Sequence, residues 1–168
     1  MPRIAFYTFG ILHETSGHPR VQEFVDRIPS TFSGAEATKG FIARSHGFDP
    51  ELTWGDKNDV PRFYDSSKHP PEPSTPKTIS LWEDLESVFS FAYQGLHLEA
   101  LQKRKEWFQT PEWPTYVAWW VGDDERPTYA DGARRLEHLH DNGPTPEAFT
   151  FKQPFDSEGK PTEPLSAR

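Results

Sequence analysis

The sequence predicts an α+β domain built on a ferredoxin-like antiparallel sheet with helices on one face. One observation is the segment from Thr78 to Phe151, where strand and helix patterns alternate as strand, helix, strand, helix, strand. Another is an apolar, aromatic run near the amino terminus that is typical of a strand. The third is the length of 168 residues, which is most simply one domain with a sizeable core. We assign residues 1–155 to this single domain.

The first half of the chain predicts two strands and one helix. The first strand is Ile4–Leu12, which is apolar on both faces, so both faces are expected to be covered. Apolar residues recur at helical spacing from Val21 to Ile28, and Pro29 is expected to end this short helix. A second strand is predicted over Gly40–Ser45. Residues 46–77 are rich in Pro, Asp, Ser and Lys, which predicts a long loop or flap.

The second half predicts six regular elements and a tail. In chain order they are a strand at Thr78–Trp82, a helix capped by Asp84 and interrupted at Gly95, its continuation at Leu96–Phe108, a strand at Tyr116–Val121, a helix at Thr128–Asn142 and a short strand at Ala148–Phe151. Residues 156–168 are polar and predict a disordered tail.

This order of elements predicts the ferredoxin-like arrangement, which leaves one face of the sheet bare. The strands are apolar on that side as well. We therefore expect a second copy of the chain to cover it, so that the protein is a homodimer.

Composition narrows the range of partners. The formal net charge is -8 and there is no run of basic residues, which argues against nucleic acid and anionic membrane surfaces. No apolar segment approaches the ~20 residues of a membrane span, and the amino terminus does not read as a signal peptide. The chain has no cysteine, which excludes thiolate chemistry and fits a cytoplasmic protein.

The sharpest candidates for chemistry lie on the predicted helix at Leu96–Phe108. His97, Leu101, Arg104 and Phe108 are spaced to share one helix face. His97 could act as an acid or base, and Arg104 could hold a carboxylate, phenolate or enolate. The alternatives are that Arg104 belongs to a solvated charged face and that His97 only bonds a loop carbonyl.

Aromatic residues could form the walls of a binding site. Trp82, Trp107, Trp120 and Tyr7 are the candidates for substrate contacts, and the small neighbours Thr78 and Ser80 leave space beside Trp82. Adjacent residues of a strand point to opposite faces, so Trp119 and Trp120 cannot both line one pocket. The alternative is that the tryptophans are ordinary core residues. His46, after the second strand, is a candidate for the pocket mouth.

The sequence gives no positive sign of a metal or cofactor. His138 and His140 are two residues apart on a helix and cannot share one ion. No phosphate-binding loop, nucleophile elbow or dinucleotide fingerprint is present. We therefore expect no metal and no cofactor, with haem held by one histidine left open.

Several motifs together resemble a known family. They are S-L-W-E-D, G-L-H-L-E-A-L with R-K-E-W-F on the same helix, Y-V-A-W-W-V, R-P-T-Y-A-D-G-A-R-R-L and G-P-T-P-E-A-F-T-F. The chain resembles an uncharacterised domain-of-unknown-function family placed with the dimeric α/β-barrel proteins, which include the antibiotic-biosynthesis monooxygenases. The resemblance implies a ferredoxin-like subunit that dimerises sheet to sheet into a barrel, with a ligand pocket in each subunit.

Relatives in that superfamily include cofactor-independent monooxygenases, polyketide cyclases, haem-binding enzymes and small isomerases. The expected function is a cofactor-independent enzyme of secondary metabolism. It would act on a small, apolar, oxygenated substrate by acid–base chemistry, in an oxygenation, cyclisation or isomerisation. The alternatives are a non-catalytic dimer that binds a small molecule or haem, and a purely structural dimer with a filled aromatic core. A shared fold alone cannot choose among these activities.

Overall fold

The computed structural model describes residues 1–45, 54–93 and 95–166, without the side chains of Leu96, His97 and Ala100. Its strands are β1 (Arg3–Phe9), β2 (Phe41–Arg44), β3 (Lys77–Trp82) and β4 (Tyr116–Val121). Its helices are α1 (Gln22–Glu36), α2 (Leu85–Ala92), α3 (Gly95–Trp107) and α4 (Tyr129–Asn142), with a short 3₁₀ turn at Pro19–Val21 before α1. The α+β class is confirmed, and no helix among the described residues is long and apolar enough to cross a bilayer.

The four strands form one antiparallel sheet in the order β2-β3-β1-β4. The central strand β1 pairs along its length with both neighbours, so that Tyr7 lies opposite Ile79 on β3 and Val117 on β4. The predicted fifth strand at Ala148–Phe151 is reduced to a bridge, because Phe149 exchanges backbone hydrogen bonds with Ala118 at 2.9 and 3.0 Å and pairing goes no further.

Helices lie on both faces of the sheet, so the prediction of helices on one face is wrong. Side chains alternate along β1, and this sends Phe6 into the core beneath α2 and Tyr7 into the core beneath α4. Helix α4 approaches so closely that a Cβ on Gly132 would lie 2.2 Å from the Tyr7 ring. The apolar stripe of α4 must be buried against another apolar surface. Helices α1–α3 cover one face of the sheet, so α4, which follows β4 in the chain, packs on the other face.

The segment before β3 covers the same face as α4. Trp54 is buried in the core there, and Val60, Phe63 and Tyr64 pack against it. The bare face that led us to expect a second subunit is therefore covered by the chain itself. The first part of the predicted flap, including His46, lies outside the described residues.

Helix α1 continues through Pro29, so the predicted end at that residue is wrong. Proline removes one helical hydrogen bond, but the buried stripe continues beyond it to Phe32 and Ala35. The Thr31 hydroxyl also donates to the Arg27 carbonyl at 3.0 Å. Burial of this second half of the helix outweighs the missing bond.

Other helix ends follow the sequence. The Asp84 carboxylate accepts from the Ser87 backbone N–H at 2.8 Å, as its predicted capping role requires. Thr128 and Asp131 form a reciprocal capping box at the start of α4. Helix α4 ends at Asn142, before Gly143 with φ 73°.

The region expected to be a disordered tail lies against the body of the protein as far as it is described. The Trp120 indole donates to the Phe155 carbonyl at 2.8 Å. The Leu165 backbone N–H donates to the Phe151 carbonyl at 2.8 Å, and the Leu165 side chain packs against the core beneath α2.

The close approach of α4 to β1 gives a test of the fold. Glycine inside a helix usually costs about 1 kcal/mol relative to alanine, but at Gly132 an added methyl would meet the Tyr7 ring. We expect Gly132→Ala to lower the free energy of unfolding by about 1–3 kcal/mol through overpacking. Urea unfolding followed by circular dichroism measures this.

The matched control is Gly34→Ala in α1, where a Cβ would meet the Phe91 ring at an ordinary van der Waals distance of 3.8 Å. We expect this variant to be unchanged or more stable by up to about 1 kcal/mol. If Gly132→Ala stabilises the protein as much as Gly34→Ala does, α4 does not pack on Tyr7 as described.

Candidate functional site

A cavity of about 310 Å³ lies between the sheet and helices α1, α2 and α3. Its size falls at the lower end of the range for small-molecule sites, roughly 300–1,000 Å³. The sheet provides the floor and the three helices provide the walls. The lining residues used below are Thr8, Phe24, Arg27, Arg44, Thr78, Ser80, Trp82, Leu101, Arg104, Trp107, Phe108 and Tyr116.

The floor exists because small polar residues occupy the helix-facing positions of β1 and β3. Thr8 and Thr78 lie opposite each other in the strand register, and their hydroxyl oxygens are 2.5 Å apart. Next to them, the Trp82 indole N–H donates to the Ser80 hydroxyl at 2.8 Å. The polar edge of Trp82 is therefore satisfied within the protein, and the indole contributes apolar surface to the cavity. Thr78, Ser80 and Trp82 share one face, as the sequence predicted.

Aromatic contacts between α1 and α3 form one wall. The Phe24 ring lies 5.7 Å from the Trp107 ring and 4.9 Å from the Phe108 ring, meeting the latter edge to face. The Phe108 ring lies directly against the backbone of Gly10, which has no side chain to obstruct it. A Cβ at Gly10 would lie 2.5 Å from the ring. Backbone bonds from the segment after β1 to Trp107 and Gln109, both 2.8 Å, fix this end of the helix.

The cavity is lined by three arginines, and none of its described lining residues is Asp or Glu. Arg27 is paired with Glu23 at 2.9 Å and with Glu99 at 3.1 Å. Arg44 is paired with Glu36 at 2.8 Å. These two guanidinium groups are therefore largely compensated from outside the cavity.

Arg104 is different, because no hydrogen bond or ion pair joins its side chain to any described residue. Its guanidinium carbon lies 5.9 Å from the centre of the Phe108 ring. The group is half-buried, and removal from water lowers the pKa of Arg104. An arginine remains charged even so, because the pKa of a guanidinium lies far above neutral pH. As far as the described residues show, the cavity thus contains a positive charge that no carboxylate pairs, beside aromatic walls.

Three of the predicted site residues, Trp82, Trp107 and Arg104, are brought together in this cavity. Leu101 and Phe108, predicted to share a helix face with Arg104, line it too. His97 lies in the first turn of α3, but its side chain is outside the described part of the chain. His46 lies outside the described residues altogether.

Two predicted site residues are placed elsewhere. Tyr7 projects from the opposite face of the sheet, beneath α4, because it alternates with Phe6 along β1. Burial raises the pKa of Tyr7, and its hydroxyl has no hydrogen-bond partner among the described residues. Trp120 is on the cavity side of the sheet but packs beside Phe155, to which it is hydrogen-bonded.

Sequence reasoning missed Arg27, Arg44 and the second half of α1. Arg27 and Arg44 lay within predicted elements and gave no local sign of facing a cavity, whereas Pro29 was taken to end the helix before Thr31 and Phe32. The signal that could have found them is the apolar spacing of Phe24, Ile28 and Phe32, which continues across the proline at intervals of four residues.

The histidines of α4 have structural partners. His138 lies 3.2 Å from the Thr145 hydroxyl, and the His140 ring meets the Phe63 ring edge to face. Within the described ranges, no group of three or more His, Asp or Glu side chains is arranged to hold a metal ion.

Comparisons with known proteins give a family and no activity. Comparison with curated proteins found no match. Among solved structures, the chain is similar to NE2512, a protein of unknown function from Nitrosomonas europaea, with 13% identity and a TM-score of 0.47, covering 76% of this chain and 97% of that one. A family profile described as "Domain of unknown function (DUF3291)" matches residues 3–165. The chain belongs to this DUF3291 family.

Proposed function

We propose that the protein binds a small, largely apolar organic anion in the cavity and acts on it by acid–base chemistry. The observation that carries this proposal is Arg104, a half-buried cation without a described partner in a cavity with aromatic walls. The ligand classes that fit are organic anions whose oxygens match the guanidinium fork, among them carboxylates, phenolates, enolates and phosphates.

Both the apolar body and the anionic group of such a ligand would interact favourably with the cavity. Burial of an aromatic ring of roughly 150–250 Å² contributes about 4–6 kcal/mol before the costs of association. A hydrogen bond to a charged group contributes about 1.5–3 kcal/mol more. The apolar walls therefore supply most of the affinity, and Arg104 supplies orientation and selectivity for an anion.

The proposed acid or base is His97. It lies seven residues before Arg104 in α3, which places the two positions on one face of the helix, roughly 10 Å apart along its axis. A substrate oxygen held at Arg104 would leave its reacting carbon nearer the other end of the cavity. Proton transfer at that carbon is the step that oxygenation, cyclisation and isomerisation of an enolisable substrate have in common.

The proposed architecture is ferredoxin-like, with α4 added on the second face. The strand order and the antiparallel pairing support it, as does the position of α1–α3 together on one face. A homodimer would have to use a surface other than a bare sheet face, since α4 and Trp54 occupy that face.

A non-catalytic binding protein is the second candidate. It is favoured by one observation: among the described residues that line the cavity, none is His, Asp or Glu. Without His97 the site would hold an anion but would have no group suited to exchange a proton near neutral pH. Haem binding through a histidine would likewise depend on His97 or His46.

The role of Arg104 can be tested with a fluorescent probe, 2-naphthoate, and its neutral analogue 2-naphthamide. We expect Arg104→Gln to weaken 2-naphthoate binding about ten-fold or more, because a charge-assisted bond worth about 1.5–3 kcal/mol is lost. Binding of 2-naphthamide should change far less. Fluorescence titration of the wild type and the variant gives both dissociation constants.

The control for that experiment is Arg134→Gln on α4, an identical change at an exposed residue on the other side of the sheet. It should leave the affinity for both probes unchanged. Equal affinity of Arg104→Gln and the wild type for 2-naphthoate would contradict a role for Arg104 in holding the anion.

Catalysis is tested at His97 once a screen of aromatic and polyketide-like acids yields turnover. We expect His97→Ala to reduce kcat by about 10²–10⁴-fold while affinity stays within a few-fold, since a lost proton-transfer group affects rate more than binding. His140→Ala on α4 is the control and should retain full activity. Unchanged turnover in His97→Ala would exclude His97 as the acid or base, and loss of a Soret band would instead indicate haem binding.

A further inference from the structure

A second concavity of about 420 Å³ adjoins the cavity at the carboxyl end of α3. The two share four lining residues, Arg104, Phe108, Thr115 and Tyr116. We call this second concavity the basic groove, since Lys105 and Lys152 line it together with Arg104. Arg104 and Phe108 therefore stand at the junction, where a ligand leaving the aromatic cavity would enter the groove.

The charge of the groove contrasts with that of the whole chain. The formal net charge is -8, yet no described residue lining the groove is Asp or Glu. Within the described part of the chain, neither Lys105 nor Lys152 forms an ion pair or a side-chain hydrogen bond. Arg104, Lys105 and Lys152 thus line one groove without a described carboxylate partner, and a single carboxylate would neutralise only one of them.

The remaining lining adds neutral hydrogen-bonding groups to these charges. Thr110 and Thr115 also line the groove, and threonine hydroxyls can donate to an anion. Arginine binds a phosphate in a bidentate manner and lysine binds it as a point charge, so both types suit the same head group. This combination matches a tetrahedral, multiply charged oxyanion better than a planar, singly charged one.

We infer that the basic groove is a second subsite, and that the ligand is a phosphate monoester with an apolar or aromatic body. The body occupies the cavity, and the phosphate lies at Arg104 on the side of the groove, within the field of Lys105 and Lys152. This inference rests on the proposed function, because it assigns the head group of the ligand that the cavity takes. A nucleic acid is disfavoured by the net charge and by the position of the basic residues within concavities.

The test compares 2-naphthoate with 2-naphthyl phosphate, which place one or two negative charges on the same ring system. A phosphate monoester carries about -1.5 to -2 charges at pH 7, with a second pKa near 6. We expect the wild-type protein to bind the phosphate about ten-fold more tightly than the carboxylate at pH 7.5. The advantage should shrink as pH falls from about 7 to 5, because the phosphate then loses its second charge.

The variant that isolates the groove is Lys105→Gln/Lys152→Gln, which leaves Arg104 in place. It should abolish most of the ten-fold advantage of the phosphate and change the affinity for 2-naphthoate by less than about two-fold. The control is Lys39→Gln/Lys68→Gln, an equal change of net charge at two exposed lysines that line neither concavity. It should leave the advantage intact.

The outcomes separate this inference from the proposed function. If 2-naphthoate binds through Arg104 but the phosphate binds no more tightly, the second subsite is wrong and the anion cavity stands. If Lys39→Gln/Lys68→Gln loses the tighter binding of the phosphate as fully as Lys105→Gln/Lys152→Gln does, the effect comes from net charge alone. If Lys105→Gln/Lys152→Gln keeps the tighter binding, the phosphate is recognised elsewhere. Either result overturns the assignment of the basic groove as a phosphate subsite. Failure of both probes to bind the wild type overturns both proposals.

Discussion

The structure depends on the burial of both faces of the central strand β1. This strand is hydrogen-bonded on both edges, and Ile4, Ala5 and Tyr7 are completely buried. Each large apolar side chain buried in this way contributes roughly 1.5–3 kcal/mol. Successive residues must enter different cores because side chains alternate along a strand. Each described helix consequently packs on one face of the sheet, so the cores on the two faces can differ in the residues that form them.

The two sides differ in the size of the residues that meet the helices. Beneath α4, the absence of a side chain at Gly132 lets the helix rest directly on Tyr7. Beneath α1–α3, the floor of the cavity is made of Thr8, Thr78 and Ser80. The rings of Phe24 and Trp107 contact each other and form one of its walls. Protein interiors are close-packed, and lost packing is destabilising. The cavity on the α1–α3 side therefore costs packing free energy, which supports the proposed ligand site over a purely structural core.

Much of the fold could be predicted from periodicity. The ranges of β4 and α4 match within one residue, and Asp84 caps α2 as expected. Local pattern could not say which face of the sheet α4 would occupy, since its apolar stripe fits either one. The local pattern also predicted that Pro29 ends α1. The contacts that stabilise the helix beyond Pro29 involve residues distant in the sequence, which a local pattern does not include.

The candidate site was partly predictable for the same reason. Helical spacing placed Leu101, Arg104 and Phe108 on one face, and that face does line the cavity. Spacing could not show that Arg27 and Arg44 are paired from outside while no described residue pairs with Arg104. That difference depends in part on contacts between elements, which pair Glu99 with Arg27 and Glu36 with Arg44, while the Glu23–Arg27 pair is a local i, i+4 contact within α1. Tyr7 was assigned to the site because it is an aromatic residue of β1. The alternation of side chains along the strand places it in the opposite core, and the local pattern did not show which core would contain the cavity.

The distribution of charge bears on how an anion would reach the site. A protein of net charge -8 repels anions at long range, but exposed charges are largely screened beyond about 8 Å at physiological ionic strength. An approaching ligand therefore responds mainly to the basic residues near the opening. Inside, where the dielectric constant is lower, the positive charge of Arg104 acts more strongly on an anion than it would in water. Placing acidic residues elsewhere on the surface is thus compatible with the proposed anion site, where no described carboxylate pairs with Arg104, Lys105 or Lys152.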